Sequence, residues 1–166
     1  GGYVAGAKRL DGMLLKNPED GGLYLLRAYA SYMLKSHSHA IEMAELAILN
    51  GKLKEGLRLK AAIFFSMMEL ERALSCYEEI TLRAESEGKP DCEALFFAWA
   101  CRILLDKGDP SAYLSRAYRV DKQKALSLLQ KFHAAFIEKS GFADPGAKAT
   151  IKSKLDALLA GKSQGI

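Results

Sequence analysis

Three histidines and three cysteines are the residues of this chain that could bind a metal ion or act as nucleophiles. They are His37, His39 and His133, with Cys76, Cys92 and Cys101. Zinc sites in proteins use four such ligands around the metal. His37 and His39 alternate in one polar segment and do not face one another, and no cysteine or acidic residue follows them at ligand spacing. We therefore expect no metal site and no cofactor.

The cysteines are also unlike a disulfide framework, because their number is odd. Cys92 and Cys101 fall on one predicted helix, where a rise of about 1.5 Å per residue places them about 13 Å apart. A disulfide needs Cα atoms within about 7 Å of each other. We expect three buried thiols that pack as small hydrophobic side chains, which favours a reducing compartment.

Motifs typical of enzymes are missing from the sequence. It has no serine, histidine and aspartate in the order of a catalytic triad, no glycine-rich nucleotide-binding loop and no His-Glu-x-x-His. We therefore expect a protein that is not an enzyme and has no catalytic residues.

The composition favours a folded, helical chain. Of the 166 residues, 49% are hydrophobic and 27% are charged, which excludes a disordered chain, and Ala, Leu, Lys and Glu dominate. No run approaches the roughly 18 apolar residues of a membrane span. The chain begins Gly-Gly-Tyr without an initiator methionine, so we expect a trimmed N-terminus. A lost signal or lipid anchor stays open, and the compartment is either cytoplasmic or bacterial periplasmic.

The net charge of +4 is distributed unevenly along the chain. Residues 1–106 carry a formal charge of −2, and residues 107–166 carry +6. A basic C-terminal part could meet an acidic partner, nucleic acid or a membrane surface. The simpler interpretation is a solvated lysine-rich face, and we expect no nucleic-acid partner.

Helical periodicity extends along the whole chain, and strand alternation is found nowhere. The pattern predicts eight or nine antiparallel helices, with boundaries at Asn17-Pro18, Asn50-Gly51, the loop 86–91 and Gly108-Asp109-Pro110. A turn without Gly or Pro is predicted at Met68-Glu69. Predicted N-caps are Ser38, Asp109 and Asp121. A last helix over 145–160 is expected to cap the protein with the stripe Ala147, Ile151, Leu155 and Leu158.

Small and aromatic residues recur along the chain with a regular period in the low thirties. With Pro18 ending one unit, the next begins at Gly21 and places alanines on three small positions, at Ala28, Ala40 and Ala47. A unit that starts at Lys54, with one residue deleted, places small or aromatic residues at Ala61, Phe64, Leu70, Ala73 and Tyr77. A further unit is anchored on Gly108.

These residues resemble the tetratricopeptide repeat, a helix–turn–helix unit whose length matches that period. The resemblance covers residues 3–107. It departs from the repeat where glycine is usual, at Lys35 and Met68, and where leucine is usual, at Arg27 and Lys60. It implies one all-α domain over 1–166, an α-solenoid of stacked antiparallel helical hairpins. Three to four degenerate repeats would fill 3–107, with additional C-terminal capping helices over 109–160.

The resemblance also implies where a partner would bind. In this family partners usually lie in a concave groove formed by the first helices of the units. The corresponding positions form a partner-binding groove of Leu25, Tyr29, Tyr32, Arg58, Phe65 and Arg102. The subclass that binds chaperones uses Lys, Asn and Arg at such positions, so we expect an apolar or amphipathic segment of another protein instead. The protein would be an adaptor, a scaffold or a secretion chaperone.

Three alternatives stay open. The segment Leu14-Leu15-Lys16-Asn17-Pro18-Glu19-Asp20 resembles the tetratricopeptide-like component associated with some periplasmic solute transporters. That resemblance implies a bacterial envelope lipoprotein whose helical bundle binds a small hydrophobic ligand or a transporter component. A second alternative is a structural subunit that associates with itself. In a third, the C-terminal helices fill the groove.

Overall fold

In the computed structural model the described residues are 2–107, 111–138 and seven helical residues beyond them, Gly146, Ala149, Lys152, Ser153, Asp156, Ala157 and Ala160. The first two of these ranges form eight helices: α1 Gly2–Lys16, α2 Gly21–Met33, α3 His37–Leu49, α4 Leu53–Ser66, α5 Leu70–Ser86, α6 Cys92–Leu104, α7 Ser111–Val120 and α8 Lys122–Glu138. The described residues form no strand. The prediction of an all-α fold is confirmed.

The chain divides into two compact units, Gly1–Arg83 and Ala84–Ile166. In the first unit α2 packs against α1 and α3, α3 packs against α4, and α2 also contacts α4. In the second unit α6, α7 and α8 all contact one another. The expectation of a single domain over 1–166 stays a prediction.

Three of the helices have an aspartate as their N-cap residue. Asp20, Asp91 and Asp121 each accept a hydrogen bond from the backbone N–H three residues later, at 3.1, 3.0 and 3.0 Å. The prediction for Asp121 is confirmed. The prediction for Ser38 is wrong, because α3 already begins at His37 and the cap position is Ser36, whose side chain makes no capping bond. The predicted N-cap Asp109, and the stripe Ala147, Ile151, Leu155 and Leu158, lie outside the described residues.

Each of the helices α2 to α6 is followed by a residue with a left-handed backbone conformation. Positive φ angles occur at Lys35 (62°), Met68 (60°) and Asp106 (54°), and at two glycines, Gly51 and Gly88. Such a residue reverses the chain and lets the following N–H bond to a carbonyl in the last helical turn. The predicted boundaries at Asn50-Gly51 and Met68-Glu69 are confirmed.

An equivalent backbone hydrogen bond forms at the C-terminal ends of α2, α4 and α6. In each, the N–H of the residue after the left-handed residue donates to the carbonyl five residues earlier. The N–H of Ser36 donates to the carbonyl of Ser31 at 2.9 Å, and that of Glu69 donates to Phe64 at 2.9 Å. At the end of α6 the N–H of Lys107 donates to Arg102 at 3.0 Å. The left-handed residue after α6, Asp106, lies two residues before Gly108, on which the sequence prediction anchored a further unit.

Small residues let the helices of the first unit approach closely. Six of its alanines have no exposed surface: Ala28, Ala40, Ala44, Ala47, Ala61 and Ala73. A Cβ atom on Gly21 would lie 2.3 Å from the carbonyl oxygen of Asn50, and one on Gly56 would lie 2.5 Å from Cγ1 of Ile48. The contacts of α2 with α3 and of α3 with α4 therefore require these small side chains.

An aromatic cluster forms the core of the second unit. Trp99 is fully buried, and its ring centroid lies 5.3 Å from that of Phe96 and 5.8 Å from that of Phe132. Such tilted and edge-on contacts are favourable arrangements of aromatic rings. The cluster packs α6 against α8. In α7, which lies at the surface of this unit, Leu114 and Ala117 are the buried residues.

Candidate functional site: the exposed faces of α2 and α4

Five of the six predicted groove residues lie on two neighbouring helices of the first unit. Leu25, Tyr29 and Tyr32 are on α2, and Arg58 and Phe65 are on α4, which contacts α2. Tyr29 is 50% exposed and Arg58 is exposed, while the other three are half-buried. The structure therefore places these five residues on adjoining helices.

The sixth predicted residue, Arg102, lies on α6 in the second unit. It is half-buried, and its guanidinium carbon lies 5.2 Å from the ring centroid of Tyr113. Stacking of this kind stabilises a cation over a ring. Within its own unit, Arg102 thus packs against α7.

Sequence reasoning missed part of the apolar surface of α2. Leu26 is 57% exposed and Met33 is 38% exposed, and with Tyr29 they repeat at helical spacing along one face. We call Leu26, Tyr29 and Met33 the α2 stripe; Leu25 and Tyr32 flank it. The signal was present in the sequence, because α2 is apolar around most of its circumference.

The surroundings of the α2 stripe are mixed in charge. The Nζ atom of Lys35 lies 6.0 Å from the ring centroid of Tyr32, and the ring of His37 lies 5.9 Å from the same ring. On α4 the exposed residues near Arg58 include Ala62 and Glu55. The apolar stripe on α2 is thus bordered by basic and aromatic side chains.

A partly buried polar network connects another side of α2 to the neighbouring helices α1 and α3. The Nε atom of Arg27 donates to Oδ1 of Asp11 on α1 at 2.6 Å, and its Nη1 atom donates to Oγ of Ser31 at 2.6 Å. Ser31, which is 1% exposed, lies 2.8 Å from Nδ1 of His39 on α3. Because Ser31 accepts from Arg27, its hydroxyl hydrogen can be donated to His39. The network fixes α2 between α1 and α3.

Arg27 and Lys60, the two cations at positions where the tetratricopeptide resemblance expects leucine, form similar ion pairs. Arg27 pairs with Asp11 on α1 at 2.6 Å, and Lys60 pairs with Glu45 on α3 at 2.9 Å. In each case the acid is on a preceding helix, and the cation is mostly shielded from solvent while the acid is exposed. Each of these two cations therefore joins its helix to a preceding helix through an ion pair.

The cysteines lie in the described part of the chain, buried and in no disulfide bond, as predicted. Burial raises the pKa of Cys76 above its ordinary value. Burial, followed by the charge of Asp121, raises the pKa of Cys92, whose Sγ lies 3.5 Å from the carbonyl oxygen of Ala117. Thiols with raised pKa values are poor nucleophiles at neutral pH.

The histidines lie in three separate places. His37 packs near Tyr32, His39 bonds to Ser31, and Nε2 of His133 lies 3.0 Å from Oδ1 of Asp156. Within the described ranges, no group of three or more His, Cys, Asp and Glu side chains could hold a metal ion. None of the described helices is long and apolar enough to cross a membrane.

Comparison of the chain with protein-family models finds no match, and comparison with curated proteins finds no significant match. Functional inference therefore depends on the residues and contacts described above.

Proposed function

We propose that the chain is a degenerate tetratricopeptide-like interaction module that binds an amphipathic segment of another protein along α2 and α4. It would act as an adaptor or scaffold and not as an enzyme. The observation that carries the proposal is the α2 stripe, since large apolar side chains repeated along one exposed helix face favour a binding surface.

Features repeated along the first unit support the repeat interpretation. Lys35 and Met68, one repeat period apart, end α2 and α4 with the same left-handed backbone. Arg27 and Lys60, separated by the same interval, form equivalent ion pairs with the preceding helix. Such equivalences favour two copies of one helix–turn–helix unit, in which the first helices lie side by side.

The chemistry of the surface favours an amphipathic occupant with acidic residues. Leu26 and Met33 offer deformable apolar area, and Tyr29 offers a ring with a polar end. Lys35 places positive charge beside Tyr32, which flanks the stripe, and Arg58 is exposed on the neighbouring helix α4. A helix with apolar residues at i, i+3, i+4 and i+7 would bury the stripe, while glutamates on its flanks would face the cations.

The test compares two fluorescent peptides of identical composition. One places Leu and Phe on a single helical face with Glu elsewhere, and the other has the same residues in scrambled order. Fluorescence anisotropy should show tighter binding of the amphipathic peptide, and added salt should weaken it. Equal binding of the two peptides would overturn the proposal. A dimeric chain that became monomeric on Tyr29→Asp would instead assign the stripe to self-association.

A further inference from the structure

The second unit has a cleft whose described lining side chains can all donate hydrogen bonds. Its volume is about 320 Å³, and these side chains are Ser115, Tyr118 and Arg119 of α7 and Lys122 at the start of α8. Two hydroxyls, a guanidinium and an ammonium can each donate to an anion. A cleft of this size is within the range of small-ligand sites.

The described residues around this cleft carry more positive than negative charge. Arg116 pairs with Glu85, and Lys124 pairs with Glu93 at 3.4 Å. For Arg119 and Lys122 the described residues provide no acidic partner. Asp121, the adjacent acid, accepts from the N–H of Lys124 through Oδ1 and keeps its negative charge, so Arg119, Lys122 and Asp121 together carry a net charge of +1. The local balance therefore favours a bound anion.

Tyr118 provides a second, independent observation. Its hydroxyl oxygen is buried and has no hydrogen-bond partner among the described residues. Burial raises the pKa of Tyr118, so the hydroxyl stays protonated and remains a donor. A buried donor without an acceptor costs free energy, and Tyr118 is one of the side chains that line this cleft.

A second cleft of about 330 Å³ shares Arg119 with the first. Its lining adds exposed apolar surface from Pro90 and Val120, next to the ion pair of Glu85 and Arg116. An anion held by Arg119 therefore has apolar surface nearby. A ligand with a charged head and a short apolar tail would use both clefts.

We propose that the second unit binds a small amphipathic acid. Its oxyanion would lie among Ser115, Tyr118, Arg119 and Lys122, and its short apolar tail would lie against Pro90 and Val120. A carboxylate and a phosphate share the required chemistry. These residues are separate from the α2 stripe, so the inference does not depend on the proposed partner surface.

Isothermal titration calorimetry of the full chain tests this inference with three probes: octanoate, 1-octanol and inorganic phosphate. Octanoate should bind more tightly than either of the others, because only octanoate carries both head and tail. The double variant Arg119→Gln, Lys122→Gln should bind octanoate at least about tenfold more weakly. The matched control Lys131→Gln, an exposed cation on α8, should bind like wild type.

The variant Tyr118→Phe distinguishes a loss of octanoate binding from a loss of folding stability. Because the variant removes a buried hydroxyl without a partner, its melting temperature should be unchanged or higher, while octanoate binding becomes weaker. Octanoate binding that is absent in wild type, or unchanged in both Tyr118→Phe and the double variant, would overturn the inference. Inorganic phosphate that bound as tightly as octanoate would overturn the part concerning the apolar tail.

Discussion

Lys35 and Met68 lie at equivalent positions of successive helical hairpins and adopt nearly the same left-handed backbone, with φ angles of 62° and 60°. Side chains with a Cβ atom are unfavourable in this conformation, and glycine is the usual residue there. The positions of Lys35 and Met68 are those where the repeat pattern has glycine. The backbone thus keeps the turn that glycine would form, at a cost in stability.

Lys35→Gly and Met68→Gly should each stabilise the protein by about 0.5–1 kcal/mol, since relief of the left-handed strain exceeds the entropic cost of glycine. Urea denaturation provides the measurement. The control is Ser75→Gly, at an exposed position inside α5, which should lose about 1 kcal/mol. A loss of stability in Lys35→Gly would show that the lysine side chain outweighs the strain.

Ala40→Leu and Ala73→Leu should destabilise the protein by about 1–3 kcal/mol each, because neither alanine has exposed surface and a larger side chain would push helices apart. Ala62→Leu, at an exposed position on α4, is the matched control and should change stability by less than about 0.5 kcal/mol. Thermal melts of the three variants compare them directly. If Ala40→Leu melted like the control, close helix contact at that alanine would be refuted.

Gly56→Ala should destabilise the first unit, by about 1–3 kcal/mol. The new Cβ would lie 2.5 Å from Ile48 Cγ1 and 3.0 Å from the carbonyl oxygen of Ala44, so α3 and α4 would have to separate. Gly12→Ala is the control, because nothing lies within 4 Å of a Cβ there and alanine favours the helix. Opposite signs of the two changes in urea denaturation are expected. Equal signs would contradict the packing described for α3 and α4.

Alkaline pH should destabilise the fold through its buried thiols. Folding raises the pKa values of Cys76 and Cys92 above the ordinary 9.0, so above that pH the folded chain binds more protons than the unfolded chain. The free energy of unfolding therefore falls as pH rises above about 9. The variant Cys76→Ala, Cys92→Ala should show a shallower decline in urea denaturation. An identical decline would assign the effect to other groups.

Local signals in the sequence were sufficient for much of the fold. Asp121 and Asn50-Gly51 mark helix ends through bonds to their own neighbours, so they could be predicted from sequence alone. The error at Ser38 has a local cause as well, because the left-handed Lys35 lets the chain enter α3 directly after Ser36. A lysine in that conformation is rare, so no pattern in the sequence indicated it.

The candidate site was harder to predict from the sequence than the helix boundaries, because it depends more on tertiary packing. Helical spacing predicted a shared groove for Tyr29, Arg58 and Phe65, which lie on the contacting helices α2 and α4. The exposure of Leu26 and Met33 depends on which sides of α2 its neighbours cover. The ion pairs that Arg27 and Lys60 form with preceding helices join residues far apart in sequence, so no local pattern indicates them. Sequence reasoning took Gly108-Asp109-Pro110 as the end of α6, whereas this helix ends at Leu104 and is followed by the left-handed residue Asp106.

The most direct test of the proposed binding surface pairs affinity with stability in Tyr29→Ala and Phe65→Ala. Anisotropy with the amphipathic peptide and a melting temperature should be measured on the same preparations. The control is Leu49→Ala, an exposed leucine at the end of α3, outside the α2 and α4 faces. The account predicts weaker binding by the first two variants, with melting temperatures that change much less, and normal binding by the control. Tyr29→Ala and Phe65→Ala variants that melt early yet bind the peptide normally per folded molecule would contradict it.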